Sequence, residues 1–344
     1  MTKMALLAGL VCTSSALAVP ATPAPTAQRR YEVHNDIPPR LQWNENAGYC
    51  GEVCFISAGL YYGQYLSQFD ARAAIGPNTK QNQTEILLGD NDQATAAHMH
   101  LQAQEWNPTG QARTPQQLLA WVKREVLRRR PVALGVYNNE FIFNDAHWPG
   151  DPTYDHIVCV VGVSSRHPLN TGRAYLDDTI LFSDNGLLGS SSNHPYFFRY
   201  AFATFPADRT QANLPTGPVY SLPNKVPNYG IAFAGVIDPQ HETLPVRLNT
   251  NINYESPQIG HQSNVRPPGT PLVLTITVSG LKPGVSYNLY RYDNLASVPD
   301  ADFNAHAAQA AQTWPIKISS STTYTFKLTI NSNDIAVFRA VRAN

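Results

Sequence analysis

Charge is scarce in this chain. Only 15% of its 344 residues are charged, the 25 Lys and Arg balance the 25 Asp and Glu, and the formal net charge is zero. That balance excludes a strongly basic face for nucleic acid and a polybasic patch for an anionic membrane. Long apolar runs are also missing. The early run from Ala5 to Val11 is far short of the roughly 20 apolar residues that cross a bilayer, so no membrane span is expected. Cysteine is rare, at four. No Cys/His spacing resembles a zinc site. His98 and His100, two apart, would point in different directions on a helix, and no glycine-rich phosphate loop is present. Neither a metal nor a cofactor is expected.

What is present begins with an export signal. Lys3, the apolar run Ala5 to Val11 and the small-x-small site Ala16-Leu17-Ala18 read as a signal peptide over residues 1–18. The expectation is a secreted, extracellular protein. Residues 19–35 are then a Pro-rich leader or propeptide, with Pro20, Pro23 and Pro25 before Arg29 and Arg30. Removal of the signal takes Cys12 with it and leaves Cys50, Cys54 and Cys159. An odd count in an exported chain means at least one free thiol or an intermolecular bridge. Asn82-Gln83-Thr84 is a glycosylation sequon.

The 27 prolines and 21 glycines argue for many turns and few long helices. Thr114, Pro115 and Gln117 form a helix start with the elements of a capping box, and the helix runs to Arg130, where Pro131 stops it. A second, short helix is expected around Asp92 to Gln104. Val132–Tyr137 and Tyr154–Val163 read as strands joined by a loop that carries Phe141, Phe143 and Trp148. Further strands are expected over 179–186, 196–205 and 229–237. From about His241 the pattern changes to period-two alternation, as in Leu272, Leu274, Ile276 and Val278 and again in Tyr324, Phe326, Leu328 and Ile330. Such strands over about 100 residues predict a small antiparallel sandwich at 241–344.

The stretch from Leu41 to Gln64 switches from a polar loop to a run that is apolar nearly all round, which predicts a buried helix starting at Cys50. A thiol there meets free backbone N–H groups and the positive end of the helix dipole, a setting that lowers a cysteine pKa and favours thiolate. Gln42 is a side-chain N–H donor eight residues upstream. His156 stands at a strand start, and Asp184 and Asn185 stand at a strand end. A nucleophile, a base and a group to fix the base's tautomer are the parts of an acyl-transfer site.

Gln42, Tyr49-Cys50-Gly51, Asp155-His156 with the following Val158 and Gly162, and a strand ending in Asp184-Asn185 together resemble the papain-like cysteine peptidase superfamily over roughly residues 40–200. The Cys-Gly start and the Pro131-Val132 strand after a capped helix are closer to its bacteriocin-processing branch, the double-glycine leader peptidases. Glu52 stands where that branch often has proline or another small residue. The resemblance implies an α+β fold: a papain-like domain over 36–240, with a central helix packed on an antiparallel sheet, followed by an immunoglobulin- or fibronectin-like sandwich. It implies Cys50 as nucleophile, His156 as base and Gln42 as oxyanion donor. Asp184 is the favoured orienting group, and Asn185 is the papain-type alternative. The expected activity is cleavage of a peptide or other amide through a covalent thioester. Acyl transfer to an amine on the same machinery, or an inactive protein that only binds, are the competing functions. Oligomeric state is left open.

Overall fold

The computed structural model describes residues 30–43, 46–106, 114–143, 149–188, 197–254 and 264–344. The expected signal peptide, residues 19–29 of the Pro-rich leader and Trp148 lie outside the described residues. Among the described residues, no helix is long and apolar enough to cross a membrane. The fold is mixed α and β, dominated by antiparallel strands.

The first half carries β1 (Tyr31–His34), α1 (Cys50–Tyr61), β2 (Gln64–Tyr65), α2 (Gln68–Ala73), α3 (Asp92–His98), β3 (Leu101–Glu105), α4 (Pro115–Leu127), β4 (Val132–Asn138) and β5 (His156–Ser165). It continues with β6 (Thr179–Ser183), β7 (Phe197–Ala201), β8 (Pro206–Ala207), α5 (Arg209–Ala212), β9 (Tyr220–Pro223) and β10 (Gly230–Val236). The main path of the large sheet is β3-β10-β4-β5-β6-β7, with β1 added alongside β5. β1 lies within the stretch expected to be leader, so residues 31–34 belong to the sheet. The helix expected over Asp92 to Gln104 ends at His98, and Leu101–Glu105 instead pairs with β10. α4 starts as its sequence dictates: Thr114 and Gln117 form the capping box and Pro115 sits in the first turn.

The strong alternation of β5 places α1 and α4 on opposite faces of the sheet. Ile157, Cys159 and Val161 join the apolar cluster that holds α1, whereas Val158 and Val160 join the one that holds α4. Every residue of α1 after Cys50 is buried, as expected of a helix that is apolar nearly all round. Full burial of Phe55, Ile56 or Leu60 contributes about 1.5–3 kcal/mol each. Gly51 is required where it stands. A β-carbon there would come within 2.5 Å of the Ile86 carbonyl oxygen, because the 85–88 loop crosses directly over the helix start.

The second half has β11 (Thr243–Leu244), β12 (Val246–Thr250), β13 (Pro271–Ser279), β14 (Ser286–Tyr292), β15 (Gln312–Lys317), β16 (Thr323–Asn331) and β17 (Ala336–Arg342). They form two antiparallel sheets, β11-β17-β14-β15 and β12-β13-β16. The two halves are interlocked. β2, immediately after α1, pairs with β17. One apolar cluster runs from Phe55 and Ile56 of α1 through Leu274 and Ile276 to Phe338.

Candidate functional site

The loop before α1 is built to hold an unusual shape. Asn46 (φ 49°), Ala47 (φ 65°) and Gly48 (φ 102°) are consecutive left-handed residues. For alanine this conformation costs about 1 kcal/mol or more and persists only where the surroundings impose it. Arg72 imposes it. Its guanidinium donates to the carbonyls of Asn46 at 3.3 Å and Gln81 at 2.6 Å, and to that of Gly48. It also lies 3.7 Å over the Tyr49 ring and pairs with buried Glu52 at 2.6 Å. The other arm of the clamp is Glu52, whose carboxylate accepts from the Ile86 N–H at 3.2 Å. Glu52 therefore ties the loop before Cys50 to the 85–88 loop.

Cys50 opens α1 with no side-chain cap at the preceding residue. It is partly exposed and lines a pocket of about 400 Å³ together with Glu85, Ile86, Asn138, Tyr154 and Asp155. The backbone N–H groups of Ile157 and Gly51 act to lower its pKa, but burial of the sulfur, then the charges of Glu52 and Glu85, outweigh them and push it up to about 12. The expected thiolate is thus corrected: in this state Cys50 is a neutral thiol. The helix dipole was legible in the sequence, whereas the surrounding protein and the two carboxylates folded around the sulfur were not.

Gln42, Cys50 and Asn185 are linked in one neighbourhood at the start of α1, whereas His156 and the Asp184 side chain lie on the α4 side of the sheet. The Gln42 N–H donates to the Asn185 carbonyl at 3.0 Å. The Gln42 side-chain oxygen accepts from the Tyr49 N–H at 3.3 Å, which turns the carboxamide NH₂ the other way. Asn185, left-handed at φ 58°, donates to the carbonyls of Ile157 at 2.8 Å and Cys50 at 3.2 Å and to the Cys54 sulfur at 3.3 Å.

His156 is 2% exposed and stacks on Tyr220 at 5.9 Å, on the α4 side of the sheet. Its Nε2 lies 3.0 Å from the backbone oxygen of Asp184. A carbonyl oxygen only accepts, so Nε2 carries the proton and Nδ1 is the basic nitrogen. The expectation that a side chain of Asp184 or Asn185 orients the imidazole is corrected: the main chain does it. The Asp184 carboxylate is engaged by the N–H groups of Gly186 at 2.9 Å and Leu188 at 3.3 Å and by the Tyr220 hydroxyl at 3.1 Å. Burial raises its pKa and these donors oppose that. Burial lowers the His156 pKa to about 4 against the pull of the Asp184 carbonyl. Cys50 and His156 are therefore both neutral, and among the described residues no hydrogen bond joins them.

Cys54 and Cys159 are buried free thiols. Burial, then neighbouring Cys159, raises the Cys54 pKa well above the usual thiol value. His98 bonds the Ala74 carbonyl, and His100 bonds Asp300 and the Leu295 carbonyl. Among the described residues no group of three or more His, Cys, Asp and Glu is placed to hold a metal ion. The contacts around these residues that sequence reasoning missed are those of Arg72, Tyr220 and the Asp184 carbonyl. None has a motif, because each acts through a contact that exists only after folding. Comparison with protein-family models, with curated proteins and with solved structures finds no match.

Proposed function

We propose that this protein is a thiol hydrolase acting on a peptide or other amide, with a papain-like arrangement around α1. The observation that supports the reading is the meeting of three distant segments, at 42, 50 and 185, at one helix start that borders a pocket, with His156 held by the adjoining Asp184 carbonyl. The tautomer of His156 supports it, since Nδ1 is the nitrogen free to take a proton. In this reading the Cys50 thiol attacks the carbonyl carbon as its proton passes to His156. The Gln42 NH₂ and the Cys50 backbone N–H receive the developing oxyanion. His156 then protonates the leaving amine, and water, activated by the same imidazole, releases the acyl group from the thioester. Starting from a neutral pair, proton transfer accompanies attack instead of preceding it.

A quenched-fluorescence peptide library tests this proposal. Turnover should be present in the wild type and fall at least about 10³-fold in Cys50→Ser, in line with loss of a nucleophile. Turnover that survives Cys50→Ser would remove the assignment. The second reading, a protein that binds without catalysis, is favoured by the missing Cys50–His156 hydrogen bond, and it is distinguished by a library that is bound but never cleaved.

A further inference from the structure

A second pocket, of about 340 Å³, lies at the far end of α1, where Tyr61 and Tyr62 meet the bulge of β10 and the β12 and β17 strands. It shares no lining residue with the Cys50 pocket. Twelve helical residues place it about 18 Å along the helix from Cys50. In a chain of zero net charge it gathers four arginines, Arg128, Arg129, Arg247 and Arg339.

Only Arg128 has a carboxylate partner, Glu125 at 2.8 Å. Arg129 donates to the His34 carbonyl, and Arg247 lies 3.8 Å over the Tyr61 ring. Arg339 is 1% exposed and donates to the Phe338 carbonyl at 2.9 Å and the Gln64 side chain at 3.2 Å. Its buried Nε has no hydrogen-bond partner. Among the described residues none of these three guanidinium groups is in ion-pair distance of a carboxylate. Two carboxylates, Asp238 and Asp300, act on Arg339 through charge without a hydrogen bond to it; Asp238 is engaged by Thr243 and the Glu242 N–H, and Asp300 by His100.

Helix ends explain part of this. α1 and α4 both terminate here, and a C-terminal dipole attracts an arginine by about 0.3–1 kcal/mol. That accounts for exposed Arg128 and Arg129. It does not account for a fully buried arginine on a strand, because a buried charge without a counter-charge is costly. We propose that this pocket binds a small organic oxyanion, a phosphate or sulfate ester, whose anionic group sits among Arg129, Arg247 and Arg339 while Tyr61 and Tyr62 wall the organic part. Guanidinium forks match the geometry of such oxyanions.

The test is calorimetric titration of the full chain at constant ionic strength with pyrophosphate, glucose 6-phosphate and glucose 6-sulfate, with glucose as the uncharged control. Saturable binding is expected for at least one oxyanion and for no glucose. Affinity should drop at least tenfold in Arg247→Gln and again in the Arg129→Gln/Arg247→Gln double variant, both changed at partly or fully exposed positions. Preference between the two esters tells phosphate from sulfate. Absence of saturable binding by every oxyanion up to 10 mM, a concentration at about the weakest useful affinity, would overturn the proposal. So would binding that the arginine variants leave unchanged. The Cys50 chemistry does not enter this assay, so its outcome is independent of the hydrolase reading.

Discussion

The Asp184 carbonyl is the residue-scale feature on which the site turns, because it decides which nitrogen of His156 is basic. Burial decides the charge. His156 has a folded pKa near 4 against an ordinary 6.5, so between those values the unfolded chain binds more protons than the folded one. Its contribution to stability is complete above pH 6.5 and is lost as pH falls towards 4, to the extent of about 3 kcal/mol. Asp92 runs the other way. Burial, then its neighbour Glu105, raises its pKa to about 7, so its contribution is complete at low pH and is lost as pH rises through 7. The His156 term is therefore isolated as a difference. Urea melts of wild type and His156→Gln should show the wild type losing about 3 kcal/mol more than the variant between pH 6.5 and 4; parallel pH dependence would contradict the buried neutral imidazole. For Cys50, a pKa near 12 predicts an iodoacetamide rate that climbs about tenfold per pH unit from 6 to 9. Peptide mapping by mass spectrometry follows it, and a plateau at neutral pH would reveal a thiolate instead.

At the scale of elements, α1 was legible in the sequence because an apolar run after a polar loop has few alternatives. Its exact neighbours were not. Glu52 read as a departure from a family pattern, and its buried partner Arg72 lies twenty residues on, with no local signal that the two meet. Removing one member of a buried ion pair typically costs about 3–5 kcal/mol, while removing both costs much less. Arg72→Met should therefore lower stability in urea by about 3 kcal/mol or more, and Glu52→Gln/Arg72→Met should recover part of it. Additive losses would argue that the pair is not coupled. The overextended helix at 92–104 has an equally physical cause. The Leu101–Glu105 strand is held by its partner β10, more than 120 residues away, and β-propensity in a polar stretch cannot announce such a partner.

Across the whole molecule, the period-two strands after residue 241 were readable because one face of each is buried, while the interlocking of the halves was not. β2 is two residues long and gives no pattern, yet it joins β17 and carries α1 into the second half's core. A period-two reading thus predicts strands but not whose core they complete. Residues 241–344 expressed alone lack the α1 face and β2, and the expected result is a weak β signal in circular dichroism without a cooperative melt. A sharp, reversible melt of that segment would show that the shared cluster is dispensable.

The central proposal is that Cys50 is an acyl acceptor served by His156. It is tested most directly by acylation with p-nitrophenyl acetate, followed by peptide mass spectrometry. Attack of the Cys50 sulfur would release p-nitrophenolate and leave an acetyl thioester. The expected result is a release burst of about one equivalent per protein, the acetyl group on the Cys50 peptide, and a burst at least about tenfold slower in His156→Gln. An unmodified Cys50, or acetylation of Cys50 at the same rate in His156→Gln, would contradict it.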